Sequence, residues 1–177
     1  CGPDWAGRYR ERHVVEGDTG LMSGQGLSVG ATAPDFTLPD ANKAPVTLSE
    51  FRGRQPVLLV FYPFAFSGTC TGELCQVRDD LENYQNDKVQ VVGVSVDHPF
   101  TLRAWGQAQG YTFPLLADFW PHGEAATAYG VFNEQAGMAE RGTFLVGRDG
   151  VIRFAEHGQT SVARDQQAWK EAIAGLD

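Results

Sequence analysis

Cationic residues are under-represented in this chain: 14 Lys and Arg stand against 22 Asp and Glu, giving a formal net charge of −8 and a pI near 4.9. Nucleic acid and anionic membrane surfaces are held by basic footprints, so neither is expected as a partner. Long apolar runs are missing too. No stretch approaches the roughly 20 residues of a membrane span, and no secretory hydrophobic segment is visible, so a soluble cytoplasmic protein is the default expectation. Cysteine is sparse, at three residues: Cys1, Cys70 and Cys75. That number is too small for a disulfide scaffold, and it is odd. In a reducing compartment most such thiols are small buried hydrophobes and a minority are reagents. No Gly-rich loop has nucleotide-binding spacing. His13, His98, His122 and His157 are scattered, and none matches a cysteine-protease pattern around Cys70. A metal site would need more ligands than Cys70, Cys75 and one remote histidine supply. Neither a metal nor a cofactor is expected.

What is present is 177 residues, 42% hydrophobic and 20% charged, which suits one domain with a real core. Residues 1–26 are polar and Gly-containing, without a sustained period, and are expected to form a flexible N-terminal extension. Met22, just ahead of the folded pattern, is read as a candidate start. Residues 27–177 carry the domain. Asp35–Leu38 and Pro45–Leu48 read as a hairpin around the turn cluster PDANKAP, with a helical turn over Ser49–Arg52. Val57–Tyr62 is an unbroken apolar run, suited to a strand buried on both faces. Leu74, Val77, Leu81 and Tyr84 fall at the spacing of one helical face, predicting a helix from about Thr69 to Tyr84. Val89–Asp97 is a second buried strand. Pro99 opens a helix that ends at Gly110. A strand over Phe113–Leu116 and a short helix over Glu124–Tyr129 follow. Thr143–Val146 and Val151–Ala155 flank Arg148-Asp149-Gly150, a hairpin signal, and the last helix covers about Arg164–Ala174. Strands alternating with helices imply a parallel central portion to which the late hairpin adds antiparallel strands. The order predicts an α/β chain of thioredoxin-like fold: a central mixed sheet flanked by helices, with an N-terminal β-hairpin.

The chemistry concentrates where the first buried strand meets its helix. Pro63 and Gly68 end the apolar run, and Cys70 falls in the first helical turn. A cysteine there sits among unpaired backbone N–H groups at the positive end of the helix dipole, which favours thiolate over thiol. An ordinary free cysteine is only about 3% thiolate at pH 7, so such help matters for a nucleophile. Ser67, three residues earlier, offers a hydroxyl that can donate or accept. Pro63 has no N–H and shields the site from water. Taken singly, these residues read as a turn breaker, a cap and a core thiol; their joint spacing carries the functional reading.

That spacing resembles a known signature. Pro63-Phe-Ala-Phe-Ser67-Gly-Thr-Cys70 is similar to the P-x-x-x-[T/S]-x-x-C signature of the peroxiredoxins. Ala33-Pro-Asp-Phe-Thr-Leu38 resembles their entry strand, and Arg141-Gly-Thr-Phe-Leu-Val146 their late arginine-bearing strand. The similarity runs from about Leu27 to the C-terminus. FYPFAFSGTCTGEL, DFWPHG and YGVFNEQAGMAERGTFLV look most like the alkyl hydroperoxide reductase E group. The resemblance implies a thiol-dependent peroxidase for hydrogen peroxide and organic hydroperoxides. Cys70 would attack the peroxide and become a sulfenic acid, Ser67 would hydrogen-bond the peroxide, Arg141 would stabilise thiolate and leaving oxygen, and Glu73 would orient the arginine. It also implies a homodimer; Trp120 reads most simply as a packing residue, with the dimer surface as the alternative, and the reductant is left open among a thioredoxin, a mycoredoxin and a small thiol. Phe64, Phe66, Phe119 and Trp120 hint at tolerance for organic hydroperoxides, the alternative being that they build the core or a dimer contact.

Cys75 departs from that group. Cys70-Thr-Gly-Glu-Leu-Cys75 resembles the C-x-x-x-x-C of the Q-type peroxiredoxins, whose second cysteine resolves the sulfenic acid. Helix positions i and i+5 lie roughly 8–9 Å apart between Cα atoms, beyond the ~6.8 Å that a disulfide spans. The first turns would have to unwind, which Gly68 and Gly72 would ease. The alternative is a packing thiol that takes no part. Two other functions share the same cysteine: a thioredoxin-like disulfide reductase, disfavoured because its C-x-x-C spacing is two residues shorter, and a non-catalytic redox sensor or holdase.

Overall fold

The computed structural model describes residues 26–86, 89–158 and 160–176. The extension expected over 1–26 lies outside the described residues except for Gly26, as do His13 and Cys1. Strands β1 (Thr37–Pro39) and β2 (Pro45–Thr47) pair antiparallel as the N-terminal hairpin. Asp40 shapes its turn by accepting from the Asn42 and Ala44 amides. A single 3₁₀ turn over Leu48–Phe51 leads to β3 (Val57–Phe61). Helices α1 (Gly68–Asp79) and α2 (Leu81–Asn86), strand β4 (Gln90–Ser95), helix α3 (Pro99–Gln109), strand β5 (Leu115–Ala117) and helix α4 (Glu124–Ala128) follow. Strands β6 (Phe132–Asn133), β7 (Met138–Ala139), β8 (Arg141–Val146) and β9 (Ile152–Gly158), then helix α5 (Gln166–Ala174), complete the chain.

The central sheet has five strands in the order β5-β4-β3-β8-β9. β3, β4 and β5 run parallel, while β8 and β9 are antiparallel to their neighbours. This is the mixed sheet with flanking helices that the alternation predicts. Every residue of β3 is buried, because the strand lies at the centre of the sheet with cover on both faces. Val57, Leu59 and Phe61 pack with Ala125, Ala126 and Tyr129 on one side. Leu58, Val60 and Tyr62 pack with Cys70, Leu74, Val77, Trp105 and Trp169 on the other. The second cluster is therefore the bed on which α1 rests, and it fixes the height of Cys70 above the sheet.

Three local expectations need correction. The helix expected from Thr69 to Tyr84 is two helices, broken at Asp80 (φ −97°, ψ 6°), whose amide bonds the Arg78 and Gln76 carbonyls while its own carbonyl starts the next turn at Asn83. Aspartate competes for backbone partners and favours such breaks. The last helix starts at Gln166 rather than Arg164, because Asp165 caps it by accepting from the Gln167 amide at 2.9 Å. The pair β6–β7 was not foreseen. It closes through Gly137 (φ 64°), whose amide reaches the Asn133 carbonyl.

Candidate active site

Strand β3 delivers the chain to buried Pro63, and the loop from there to Ser67 turns it into α1. Within that loop Phe66 adopts φ 62°, the left-handed region, which costs a non-glycine residue about 1–2 kcal/mol. Ser67 is the N-cap of α1, yet its side chain caps nothing. Its buried hydroxyl has no hydrogen-bond partner among the described residues. Cys70, in the first turn, is fully buried. Beside it Tyr62 is wholly enclosed, and burial pushes its hydroxyl well above the usual tyrosine range, so it stays a neutral neighbour.

Arg141, at the start of β8, donates from Nη2 to Cys70 Sγ at 3.4 Å. Its Nη1 pairs with Glu73 Oε2, and its Nε donates to the Thr160 carbonyl at 2.8 Å. These three anchors fix the guanidinium plane. The structure thus brings together Cys70, Glu73 and Arg141, 68 and 71 positions apart along the chain, with Ser67 one turn away.

Sequence reasoning missed a second arginine. Arg164 donates to Glu73 from its amide (2.7 Å), from Nε (3.1 Å) and from Nη2 (3.1 Å). Its Nη1 donates to the Phe61 and Gly142 carbonyls and to Thr143 Oγ1, and its guanidinium lies 5.3 Å from the Trp169 ring. Gln166 Nε2 binds the Glu73 carbonyl at 2.9 Å. The usable signal was Asp165: an N-cap there places Arg164 ahead of the helix, free to turn inward.

The charges in this cluster can be counted. Glu73, Arg141 and Arg164 are all buried, and together they carry one negative and two positive charges. The cluster is neutral only if Cys70 is a thiolate. Unpaired buried charge is expensive, and the surplus guanidinium charge is turned towards the Cys70 sulfur. Among the described residues, no group of three His, Cys, Asp or Glu side chains could hold a metal ion, and no helix is long and apolar enough to cross a membrane.

Cys75 is not brought to Cys70. Both stand in the intact helix α1 as free thiols, and Cys75 Sγ faces Gln109 Oε1 at 3.5 Å and the Tyr111 hydroxyl at 3.6 Å. Phe64, Phe66, Phe119 and Trp120 are exposed, Trp120 to 80%, rather than built into the core.

Residues 29–155, the greater part of the chain, match the AhpC/TSA family. The chain is 57% identical over 150 residues to alkyl hydroperoxide reductase E of Mycobacterium tuberculosis, covering 85% of this chain and 98% of that one. It is 32% identical over 142 residues to the chloroplastic peroxiredoxin Q of Triticum aestivum, covering 80% of this chain and 64% of that one. Among solved structures, peroxidoxin BcpB of Mycobacterium tuberculosis superposes with a TM-score of 0.73 at 30% identity, over 82% of this chain and 94% of that one. AhpC of Enterococcus faecalis superposes with a TM-score of 0.73 at 27% identity, over 85% and 89%. On the family match, the extent of these likenesses and the thioredoxin-like sheet against which the cysteine-bearing helix packs, the chain belongs to the AhpC/TSA family and is a peroxiredoxin.

Proposed function

We propose that this protein is a thiol-dependent peroxidase acting on hydrogen peroxide and organic hydroperoxides through Cys70. The observation that carries the assignment of Cys70 is its sulfur at 3.4 Å from Arg141 Nη2, inside a buried cluster that is neutral only with a thiolate. The thiolate attacks the terminal oxygen of ROOH. An S–O bond forms, the O–O bond breaks, and the leaving alkoxide takes up a proton as alcohol, or as water from hydrogen peroxide. Sulfur is oxidised to the sulfenic acid and the peroxide is reduced. Arg141 donates to the thiolate and to the charge growing on the leaving oxygen. The unpartnered Ser67 hydroxyl supports its role as the peroxide's hydrogen-bond partner, and buried Pro63 keeps water from the thiolate's flank. Glu73 orients Arg141.

Cys75 resolves the sulfenic acid in this scheme. Its sulfur attacks that of Cys70, an S–S bond forms, and water leaves. Because both cysteines stand in one helix, the first turns of α1 unwind before the step. A thioredoxin, a mycoredoxin or a small thiol then reduces the disulfide. The exposed aromatic side chains at Phe100, Phe119 and Trp120 support a homodimer, and the setting proposed for it is cytoplasmic.

The test is peroxide consumption by wild type and Cys70→Ser, followed by intact mass after one equivalent of peroxide. Loss of activity in Cys70→Ser, with a wild-type product two hydrogens lighter, is expected. Equal consumption by both proteins overturns the assignment of Cys70, and a lasting sulfenic acid overturns that of Cys75.

A further inference from the structure

Asp97 has no place in the scheme above, yet it holds the loop on which that scheme depends. It follows β4, whose C-terminal end lies beside that of β3 in parallel register, Phe61 opposite Val94 and the Tyr62 amide on the Val94 carbonyl. The Pro63–Ser67 loop therefore leaves the sheet directly beside Asp97. Asp97 Oδ2 accepts the Ala65 amide at 2.8 Å, a single long-range bond reaching 32 positions back into the middle of the loop. The same oxygen accepts the Ser95 hydroxyl at 2.8 Å, and the Asp97 amide donates back to Ser95 Oγ at 3.3 Å. Ser95 is fully buried, so the carboxylate is aimed by the end of a core strand rather than by a mobile surface.

One residue beyond Ala65 lies Phe66, held at φ 62°, and the next is Ser67. A left-handed phenylalanine persists only where its surroundings over-determine it. Phe66 is 57% exposed, so packing alone does not enforce its backbone. Besides its ring contact with Trp105 at 6.3 Å, the restraint next to it in the chain is the anchored Ala65 amide. We propose that Asp97 is a positioning residue for peroxide reduction: by gripping the Ala65 amide it keeps the loop in the left-handed turn that presents the Ser67 hydroxyl to a peroxide at Cys70. Arg141 reaches Cys70 from β8 on the other side of β3. The thiolate's partner and the peroxide's partner are thus held by separate parts of the fold, and Asp97 serves only the second.

This division gives the test, which rests on the Ser67 reading and includes Ser67→Ala so that the two can fail separately. The oxidation of Cys70 by hydrogen peroxide and its alkylation by iodoacetamide are timed at one pH in wild type, Ser67→Ala, Asp97→Ala, Asp97→Asn and Ser95→Ala. Iodoacetamide needs the thiolate but not a hydrogen bond from Ser67. Asp97→Ala is expected to lose about tenfold to a hundredfold in peroxide rate, the scale on which misplaced groups slow reactions, while alkylation stays within about threefold of wild type. Asp97→Asn keeps an oxygen that can accept both bonds and should recover most of the peroxide rate. Ser95→Ala, which frees the carboxylate without touching the loop, should show a weaker form of the same selective loss. The proposal is overturned if Asp97→Ala oxidises like wild type while Ser67→Ala is slow, or if both reactions of Asp97→Ala slow together. Wild-type behaviour of Ser67→Ala removes the Ser67 reading and this one with it. Should Asp97→Ala fail to fold, a wild-type peroxide rate in Ser95→Ala overturns the proposal and the selective loss upholds it.

Discussion

Glu73 accepts from two guanidinium groups and one backbone amide with a single carboxylate, while its own carbonyl holds Gln166. Removing Glu73 would leave two guanidinium charges uncompensated, at the roughly 3–5 kcal/mol typical of a broken buried pair, whereas removing one arginine leaves a neutral carboxylate–guanidinium pair beside Cys70. The two arginines should therefore separate cleanly. Arg141→Ala removes the donor aimed at Cys70 Sγ, and its peroxide rate in stopped flow should fall about 10²–10³-fold, the range for loss of one preorganised donor. Arg164→Met keeps the volume near Trp169 but strips the Phe61 and Gly142 carbonyls of a side-chain donor and Glu73 of one of its two guanidinium partners. It should lose about 1–3 kcal/mol of unfolding free energy in urea titrations, the cost of buried acceptors left without a partner, and it should slow the peroxide step too, though less than Arg141→Ala, because the cluster loses its second positive charge while Arg141 still touches sulfur. A fully stable Arg164→Met would show that the Glu73 cluster holds through Arg141 alone. Local pattern showed neither partnership: that of Glu73 with Arg141 came from the family resemblance, and that with Arg164 was missed. Arg141 reaches Glu73 from 68 positions away and Arg164 from 91, and an isolated arginine in a sequence reads as a surface cation until the fold places it.

Helix α1 is the element on which the second half of the proposed cycle turns. Its sequence predicts a start near Thr69, one residue inside the observed start at Gly68, and an apolar face at Leu74 and Val77, both of which are buried. Periodicity continues through Leu81 and Tyr84 into α2 and so hides the break at Asp80, because both helices bury the same face against the sheet. The buried strands were legible for the converse reason: a run with no polar alternation suits only a central strand, and β3 and β4 are central. Gly72 matters here. A Cβ built on it meets nothing within 4 Å, so Gly72→Ala should stabilise the folded helix by about 0.5–1 kcal/mol. If Cys75 can reach Cys70 only after those turns unwind, the same substitution should slow intramolecular disulfide formation by up to about fivefold without slowing the peroxide step. Acid quench, alkylation and intact mass would follow both. Disulfide formation at the wild-type rate would mean that the Gly72 turn stays wound during resolution.

At the scale of the whole molecule, the core and the surface make different demands. The core encloses tyrosines that resist ionisation: burial, aided by neighbouring Asp80, pushes Tyr84 up to about 12, and Tyr62 and Tyr129 are also raised. Unfolded tyrosines ionise near pH 10. Above that pH the unfolded chain binds fewer protons than the native one, so stability is full below about pH 10 and declines as pH rises towards the folded values. The urea midpoint should accordingly be lower at about pH 11 than at about pH 9. The surface carries the other demand. Phe100 and Phe119 flank His98 at ring distances of 4.9 and 5.0 Å, and Trp120 beside them is 80% exposed. Apolar patches of this kind are seldom left to water, yet each chain carries a net charge of −8, so two copies repel as they approach. Apolar contact must outweigh that repulsion, and salt, which screens charge over about 10 Å at 0.1 M, should therefore strengthen self-association. Sedimentation at micromolar protein should report a dimer that tightens with added salt. Trp120→Glu adds like charge at the most exposed ring and should shift the protein to monomer with its circular dichroism unchanged, since Trp120 lies outside the core. A wild-type monomer at every salt concentration would remove the dimer from the proposed function while leaving the Cys70–Arg141 site intact, because every residue of that site comes from one chain.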